Sequence, residues 1–367
     1  MRIFYDGTIY DIQVSGGVNR YFVNIIRRLP GDWVPMVASL GPAPRQALQH
    51  PRLKTYGYHR WGRRPSCLFH RLAPYYFRSL ARLTRPALLH PTYYSLLGDL
   101  QFRDYRCPVV VTVYDLIHEI FAAEFDPDGC QAAGKRRAIA AADRILCISA
   151  NTEADLLNRY PEAAGKTTVT LLAPELDASQ AGGDDPVPAA PYVLYVGSRW
   201  PYKNLGCLLQ AVANLVPRYP ELTLCLVGPP LTSAEQQAIA NLNLTPHLVS
   251  YCYPSDRHLA KLYRCSLALA YPSLYEGFGL PPLEAMACGT AVIVADTASL
   301  PEVVGEAALR FDPWTPQASD DLTDGLRLLL ESPAVRDRLV TAGHAHVQQF
   351  SWAKTAAQTC AVYQSLG

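Results

Sequence analysis

The stretch from Tyr271 to Ala295 constrains the fold of this chain more than any other. It follows an apolar run, and Gly277 and Gly279 then lie close enough for the backbone to adopt conformations closed to other residues. The pair Pro281–Pro282 suits the first turn of a helix, where a missing N–H group costs little. We predict a helix that stops at Gly289 and a buried strand after it. This order of elements indicates an α/β fold.

Two carboxylates flank this glycine loop, Glu276 before it and Glu284 on the predicted helix. Unpaired N–H groups at a helix N-terminus bind anions. A carboxylate on each side can accept hydrogen bonds from the hydroxyls of an uncharged group joined to that anion. Phosphate together with hydroxyls describes a sugar nucleotide, and the predicted donor-binding residues of the loop are Gly277, Phe278, Gly279 and Leu280. The alternative is an ordinary loop and helix cap with two surface carboxylates.

The segment Glu-Gly-Phe-Gly-Leu-Pro-Pro-Leu-Glu-Ala, which spans 276–285, resembles the signature of retaining glycosyltransferases of family 4. The resemblance implies the GT-B architecture, in which two doubly wound, Rossmann-like α/β domains face an interdomain cleft. It also implies transfer of a sugar from a nucleotide diphosphate donor with retained anomeric configuration. In this interpretation Glu276 holds hydroxyls of the donor sugar and Glu284 holds the ribose.

Length and composition agree with two domains. A chain of 367 residues is long for a single domain, and a hydrophobic share of 49% suits a sizeable core. We predict a first domain over 1–175, a linker containing Pro, Gly and Asp over 176–191, and a second domain over 192–350. The resemblance implies that the first binds the acceptor and the second the nucleotide sugar, while a last helix over 351–367 crosses back to the first domain.

Charge and cysteine content argue against several classes of protein. The net charge of +1 gives no bulk attraction to nucleic acid. The ten cysteines include no Cys-x-x-Cys pair, which argues against a zinc site or a disulfide framework and favours a reducing cytoplasm. No signal peptide precedes the first strand, and no apolar run reaches the roughly 20 residues of a membrane-spanning helix. We therefore expect a cytoplasmic protein without a metal site.

A second candidate site follows the predicted strand over 192–196. Arg199 and Lys203 lie on the loop between this strand and the next predicted helix, so both cations can point to one ligand. Arg binds a diphosphate by paired hydrogen bonds and Lys as a point charge; the alternative is a pair of surface charges. The segment also resembles the family 4 pattern Gly-x-Arg-x-x-x-Lys-Asn, which implies that both cations stabilise the leaving diphosphate without a metal. In relatives the loop around Tyr253 binds the nucleobase, mainly through backbone groups.

The first domain carries further candidates. Gly16 and Gly17 open a predicted helix after the first strand, as a second phosphate-binding loop or only as a tight turn. The resemblance places them near the donor phosphates and the acceptor. His118 follows a β-branched strand at the edge where α/β sheets place their sites, so it can contact a sugar hydroxyl or be a structural loop residue. The resemblance favours contact, but many relatives have His where this chain has Tyr114, so the Tyr114–Asp115 pair is an alternative.

Residues 59–106 are unusually basic, with nine arginines against two aspartates and with aromatic residues among them. Basic and aromatic residues together suit an interfacial helix on anionic lipid. Peripheral contact with an anionic membrane through the segment from Arg60 to Arg106 is therefore one interpretation, with Arg60, Arg63 and Arg64 expected to contribute to it. The other is a solvated helix face with core aromatics.

The resemblance extends to bacterial transferases that build O-antigen, capsule or exopolysaccharide. It implies a nucleotide-diphosphate sugar as donor, with GDP-mannose favoured, and a glycan or lipid-linked hydroxyl as acceptor; we expect no separate cofactor and no nucleic-acid partner. The expected catalytic residues are His118, Arg199, Lys203 and Glu276. One alternative is a sugar-nucleotide epimerase of the same fold, which would turn over without an acceptor. Another is a non-catalytic subunit that binds a sugar nucleotide.

Overall fold

The computed structural model describes residues 1–13, 16–41, 48–58, 66–189 and 191–367, with backbone only at 66–70. The predicted lipid-contacting residues Arg60, Arg63 and Arg64 lie outside these ranges. The described chain divides into two compact units. One consists of Met1–Leu172 together with Trp352–Gly367, and the other of Ala173–Ser351.

The first unit alternates strands and helices. Its strands are β1 (Arg2–Asp6), β2 (Val34–Ser39), β3 (Lys54–Gly57), β4 (Leu88–Leu89), β5 (Val110–Val113), β6 (Arg144–Cys147) and β7 (Thr167–Val169). The helices between them are α1 (Ile9–Ile12), α2 (Gly17–Arg27), α3 (Ser66–Thr84), α4 (Ile117–Ile120), α5 (Ala122–Phe125), α6 (Cys130–Ala141) and α7 (Ala150–Arg159). All strand pairs are parallel, in the orders β3-β2-β1-β4 and β5-β6-β7, and a parallel bridge between Leu89 and Val109 joins the two sheets.

The second unit contains one parallel sheet of order β10-β9-β8-β11-β12-β13. Its strands are β8 (Tyr192–Val196), β9 (Thr223–Gly228), β10 (Leu248–Cys252), β11 (Ala268–Tyr271), β12 (Ala291–Ala295) and β13 (Leu309–Phe311). Its helices are α8 (Leu205–Leu215), α9 (Ser233–Asn241), α10 (Asp256–Cys265), α11 (Leu280–Ala287), α12 (Leu300–Val304), α13 (Ala318–Glu331) and α14 (Pro333–Val347). The strand order reverses between β8 and β11, the point at which sheets of this kind bind ligands.

The central strands are buried along their whole length, which explains why they appear in the sequence as continuous apolar runs. Every residue of β8, β11 and β12 is buried, as expected for parallel strands covered on both faces. The predicted strand over 192–196 matches β8 residue for residue. The predicted helix after the glycine loop is α11, with its two prolines in the first turn and Gly289 in the left-handed region at φ +83°. The predicted α/β fold class is confirmed.

The last helix, α15 (Trp352–Gln364), packs in the first unit through a buried polar cluster. The Tyr363 hydroxyl lies 2.5 Å from Nδ1 of His90 and 3.3 Å from the Tyr5 hydroxyl. Nε2 of His90 lies 2.9 Å from Oγ1 of Thr112. His90 is fully buried, and burial lowers its pKa to about 3. The imidazole is therefore neutral in the folded protein, with hydroxyl partners at both nitrogens.

We expect the free energy of unfolding to fall in acid, because His90 stays neutral in the folded protein. Its folded pKa of about 3 is below the unfolded value of 6.5, so the unfolded chain takes up a proton first as the pH falls through 6.5. The contribution of His90 is complete above pH 6.5 and decreases by about 1.4 kcal/mol per pH unit between 6.5 and 3. The measurement is urea denaturation of the wild type and of His90→Gln at pH 4, 5 and 7.

The His90→Gln variant is the reference that cancels the effect of the other titrating groups. Burial raises the pKa of Asp6 to about 7, which acts in the opposite direction over much of the same range but equally in both proteins. The stability difference between the wild type and His90→Gln should therefore shrink as the pH falls. A difference that is constant from pH 7 to pH 4 would show that His90 does not titrate on unfolding.

Candidate active site

The loop after β8 is shaped by two glycines at neighbouring strand ends. Gly197 and Gly228 have φ of +138° and +157°, and a Cβ on Gly228 would lie 2.2 Å from the carbonyl oxygen of Gly197. No side chain fits between these two backbones. The loop continues through a single 3₁₀ turn over Pro201–Lys203, and Asn204 at φ +53° starts α8. Arg199 and Lys203 are therefore held on a short, tightly folded connection at the β8/β11 reversal.

Lys203 forms a buried ion pair with Glu276, which lies in the loop after β11. The Lys203 ammonium Nζ donates to Oε1 of Glu276 at 2.6 Å, and the two side chains are 10% and 12% exposed. Nζ also lies 5.0 Å and 5.5 Å from the ring centroids of Tyr202 and Tyr271, which adds cation–π attraction. The pair connects the loops that follow the two strands at the reversal of the sheet.

Arg199 has a different partner, which the sequence analysis did not identify. Nε of Arg199 donates to Oε1 of Glu235 at 2.7 Å, and Nη2 donates to the carbonyl oxygens of Pro229 and Pro230 at 2.7 Å and 2.8 Å. Glu235 also accepts hydrogen bonds from the backbone N–H and hydroxyl of Thr232, in the capping box of α9. Burial acts to raise the pKa of Glu235, but these hydrogen bonds outweigh it and lower that pKa.

The two cations are largely buried, so the alternative of a pair of surface charges is wrong. The Arg199 side chain is 4% exposed and that of Lys203 10% exposed. The two ion pairs have a common neighbour in Tyr195. Its hydroxyl interacts electrostatically with Glu276 of one pair and with Arg199 and Glu235 of the other. The spacing Thr-x-x-Glu at 232–235 is a capping-box signature visible in the sequence, and it is the one signal that points to Glu235.

The glycine loop after β11 is fixed by a serine that sequence analysis also missed. The buried Ser299 hydroxyl lies 2.8 Å from the carbonyl oxygen of Glu276 and 2.7 Å from that of Phe278, and it donates to them. Gly279 has φ +120°, and a Cβ there would lie 2.9 Å from a methyl group of Leu300. Within the described residues, no acceptor lies in hydrogen-bond range of the N–H groups of Phe278, Gly279 and Leu280. These three groups can bind an anion.

Glu284 is buried on α11, and Tyr253 is exposed at the end of β10. Oε2 of Glu284 accepts a hydrogen bond from the Tyr263 hydroxyl at 3.3 Å, and the residue is only 6% exposed. The interpretation of both loop carboxylates as ordinary surface groups is therefore wrong. Tyr253 is 72% exposed and has φ +50°, a conformation that costs energy for a residue with a side chain.

The candidates of the first unit surround the ends of β1 and β5. Gly16 caps α2 and Gly17 begins it; a Cβ on Gly16 would lie 2.7 Å from the Gln13 side chain. Tyr114 is buried against the ring of Tyr21, with centroids 5.9 Å apart. His118 lies on α4 with its Nδ1 atom buried, and no group of the described chain bonds to that nitrogen.

A buried lysine holds the helix that carries His118. Lys135 is fully buried, and its Nζ donates to the carbonyl oxygen of Asp115 and to Oε2 of Glu119, both at 2.8 Å. The Tyr160 hydroxyl donates to the other oxygen of Glu119 at 3.0 Å. Asp115 also accepts from the backbone N–H of Ile117 at 3.1 Å. Residues before and within α4 are thus tied to one cation, which sequence analysis did not predict because Lys135 belongs to no motif.

In the described ranges, no three His, Cys, Asp or Glu side chains cluster as metal ligands would. No α-helix in those ranges combines the length and apolar character that crossing a bilayer requires.

Comparison with known proteins identifies the family. The pattern described as "Glycosyltransferase Family 4" matches residues 15–172, and "Glycosyl transferases group 1" matches 186–346. The D-inositol 3-phosphate glycosyltransferase of Saccharomonospora viridis is 30% identical over 315 residues, which cover 77% of this chain and 72% of that protein. This chain belongs to glycosyltransferase family 4. The predicted family and the transferase class are therefore confirmed.

Two other relatives match this family 4 glycosyltransferase over shorter ranges. O-antigen chain mannosyltransferase B of Escherichia coli is 31% identical over 234 residues, or 60% of each chain. The MMP alpha-(1->4)-mannosyltransferase of Mycolicibacterium hassiacum is 40% identical over 166 residues, or 45% of this chain and 40% of that protein. The chain thus matches 60% and 40% of the lengths of these two relatives.

Solved structures support the fold of the family 4 glycosyltransferase. Sucrose-phosphate synthase from Thermosynechococcus elongatus matches with a TM-score of 0.76 and 21% identity, over 100% of this chain and 99% of that one. The Anabaena protein HepE in complex with UDP and glucose matches with a TM-score of 0.71 and 18% identity, over 100% and 99%. With the parallel sheets of the two units, these matches confirm a GT-B fold of two Rossmann-like domains.

We expect the Lys203–Glu276 pair of this glycosyltransferase to behave as a buried pair. Lys203→Met leaves the Glu276 carboxylate without its counterion, which should lower the free energy of unfolding by about 3 kcal/mol. Arg218→Met breaks the Arg218–Glu331 pair, whose side chains are 69% and 44% exposed, and should cost less than about 1 kcal/mol. Urea denaturation of both variants measures the difference.

The double variant Lys203→Met, Glu276→Gln completes this test. Because it removes both charges, it should lose less stability than the sum of the two single variants. Equal losses for Lys203→Met and Arg218→Met would contradict a stabilising role for the buried pair.

Proposed function

We propose that this protein transfers a sugar from a nucleotide-diphosphate sugar to a hydroxyl of a glycan or lipid-linked acceptor, with retention of anomeric configuration. The observation that carries this proposal is the buried Lys203–Glu276 pair beside three backbone N–H groups that have no partner in the described part of the chain. A diphosphate satisfies those N–H groups and Lys203, while Glu276 accepts hydrogen bonds from the sugar hydroxyls. Anion-binding N–H groups and a carboxylate at one reversal of the sheet match a ligand that combines phosphate with hydroxyl groups.

The charges of the site suit departure of a nucleoside diphosphate. Breaking the glycosidic bond leaves an oxocarbenium-like sugar and increases the negative charge on the diphosphate. Lys203 and the N–H groups of Phe278 and Gly279 would stabilise that charge electrostatically. Nη1 of Arg199 would add to this, because Glu235 and the two proline carbonyls engage only Nε and Nη2. Front-side attack, in which the leaving phosphate oxygen takes the acceptor proton, requires no enzymic nucleophile.

In the first unit we assign His118 to a sugar hydroxyl and the Gly16–Gly17 turn to the acceptor side of the reaction. The unpartnered Nδ1 atom of His118 supports this choice. Tyr114 packs in the core against Tyr21, and Asp115 accepts a hydrogen bond from the N–H of Ile117 at the start of α4. The Tyr114 hydroxyl is also buried without a hydrogen-bond partner among the described residues. His118 is preferred because it is partly exposed, whereas Tyr114 is buried in the core.

For the donor we favour GDP-mannose, on the similarity to two proteins named as mannosyltransferases. A UDP-sugar is the competing choice, since the HepE structure contains UDP and glucose. The similarity to an O-antigen chain enzyme favours surface-polysaccharide synthesis at the cytoplasmic side of the membrane. Thermal-shift screening against UDP, GDP and ADP, followed by the corresponding sugar nucleotides, identifies the donor. Turnover of a donor without any acceptor would favour an epimerase.

With the donor identified, we expect Arg199→Ala and Lys203→Ala to reduce kcat by about 10²–10³-fold, because each cation interacts most strongly with the leaving charge. Glu284→Ala should instead raise the donor KM with a smaller change in kcat, because it is assigned to the ribose, far from the changing charge. Steady-state kinetics measure both parameters. Assays at a temperature where circular dichroism shows each variant folded separate catalysis from stability. A normal kcat in both cation variants would remove them from the mechanism.

We also expect activity to persist in excess EDTA, because protein cations and N–H groups occupy the role that a divalent metal has in other transferases. The assay compares initial rates with EDTA, with Mg²⁺ and with Mn²⁺. Loss of turnover in EDTA that either metal restores would overturn this expectation.

A further inference from the structure

The described part of α3 presents an exposed apolar stripe. Leu72, Tyr75 and Leu83 are 41%, 68% and 81% exposed. Their spacing places them on one side of the helix, together with the exposed residues Arg71, Ser79 and Arg82. The sequence of α3 contains no Asp or Glu. The other aromatic residues of this part of the helix face inward, since Phe77 is fully buried and Tyr76 packs against Tyr58. We call this stripe and its flanking arginines the α3 face.

A cationic cavity lies at the C-terminal end of the α3 face. It has a volume of about 460 Å³ and is lined by Ala81, Arg82, Arg85, Pro86, Asp104 and Arg106. Its three arginines are exposed. Its carboxylate, Asp104, is already engaged, because it accepts hydrogen bonds from Nη2 of Arg78 at 3.5 Å and from the Gln101 N–H at 2.9 Å.

One of the cavity arginines lies in strained backbone just after α3. Arg85 has φ +44° and precedes Pro86, an unfavourable conformation for a residue with a long side chain. Three guanidinium groups around one cavity repel one another, and a bound phosphate would reverse that repulsion by accepting hydrogen bonds from them. The cavity therefore matches a phosphate-bearing anion.

We infer that the α3 face docks on an anionic phospholipid surface. Leu72, Tyr75 and Leu83 enter the headgroup region, and the arginine cavity binds a lipid phosphate. Charge complementarity selects an anionic surface, and the exposed leucines favour lipid over nucleic acid, which offers them no apolar surface. This docking does not depend on the proposed sugar transfer. It narrows the predicted contact, which spanned the segment from Arg60 to Arg106, to the α3 face and its cavity; Arg60, Arg63 and Arg64 lie outside the described residues.

The experiment is flotation of the full-length protein with vesicles of phosphatidylcholine, with or without phosphatidylglycerol. We expect binding to the anionic vesicles at low salt, weakened at high salt. Changing Arg82, Arg85 and Arg106 together to Ser should weaken binding by about 100-fold. The matched control changes Arg27, Arg137 and Arg338 to Ser; these exposed arginines of α2, α6 and α14 do not line the cavity, and the net charge changes equally.

A second pair of variants tests the apolar part. Leu83→Ser should weaken vesicle binding, whereas Leu328→Ser, at a 43% exposed leucine of α13, should not. If the triple arginine variant fails to fold, Leu83→Ser carries the test alone. Melting temperatures and the thermal shift with nucleoside diphosphates should match the wild type in all variants.

Several results would overturn the inference. Equal binding to neutral vesicles, no binding at low salt, or an equal loss in both arginine triples would each reject it. Competition with inorganic pyrophosphate tests whether the cavity binds a soluble phosphate compound instead of a lipid. If it displaces the protein from vesicles completely while Leu83→Ser has no effect, the cavity serves a soluble phosphate. Absence of vesicle binding together with retained nucleotide binding would reject the docking and leave the proposed function untouched.

Discussion

The ion pair between Lys203 and Glu276 is the interaction on which the second unit's site depends. Removing two charges from water is costly, and a close contact with further partners has to offset that cost. Here the contact is 2.6 Å, and two tyrosine rings surround the ammonium group. An apolar pair of similar volume would be a cheaper way to join the loops after β8 and β11. An apolar pair, however, provides neither a cation nor a carboxylate at the reversal of the sheet. Both groups are needed to bind a ligand that carries an anion and hydroxyls.

The local parts of this arrangement could be predicted from the sequence, because their causes are local. Pro281 and Pro282 start a helix, Gly289 ends it, and continuous apolar runs form the buried strands. The pairing of Arg199 could not be predicted, because its partner Glu235 belongs to another strand–helix connection. The α9 capping box was visible, but nothing in the sequence showed that its carboxylate also binds a guanidinium. The burial of both cations depends on how neighbouring loops fold over them, and no periodicity encodes that.

In the first unit too, the sequence does not reveal which residues support the candidate site. The end of β5 was recognisable as a place for a polar site, and the structure puts His118 there on a single turn of helix. That turn is held by Lys135, which lies on α6 and belongs to no motif. A buried lysine whose partners are a carbonyl oxygen and a carboxylate is recognised only after the chain is folded. Motifs therefore point to candidate sites, whereas the residues that support those loops are apparent only in the folded chain.

The place of α15 has a consequence for how the protein is made. The hydroxyl of Tyr363 is the partner of Nδ1 of His90, which lies 273 positions earlier in the chain. While the ribosome is still translating the second unit, the first has left the exit tunnel but lacks its last helix. His90 and Tyr5 then have no Tyr363 to bond. The N-terminal unit thus cannot reach its final packing until α15 has been translated, which happens only after the whole of the second unit has been made.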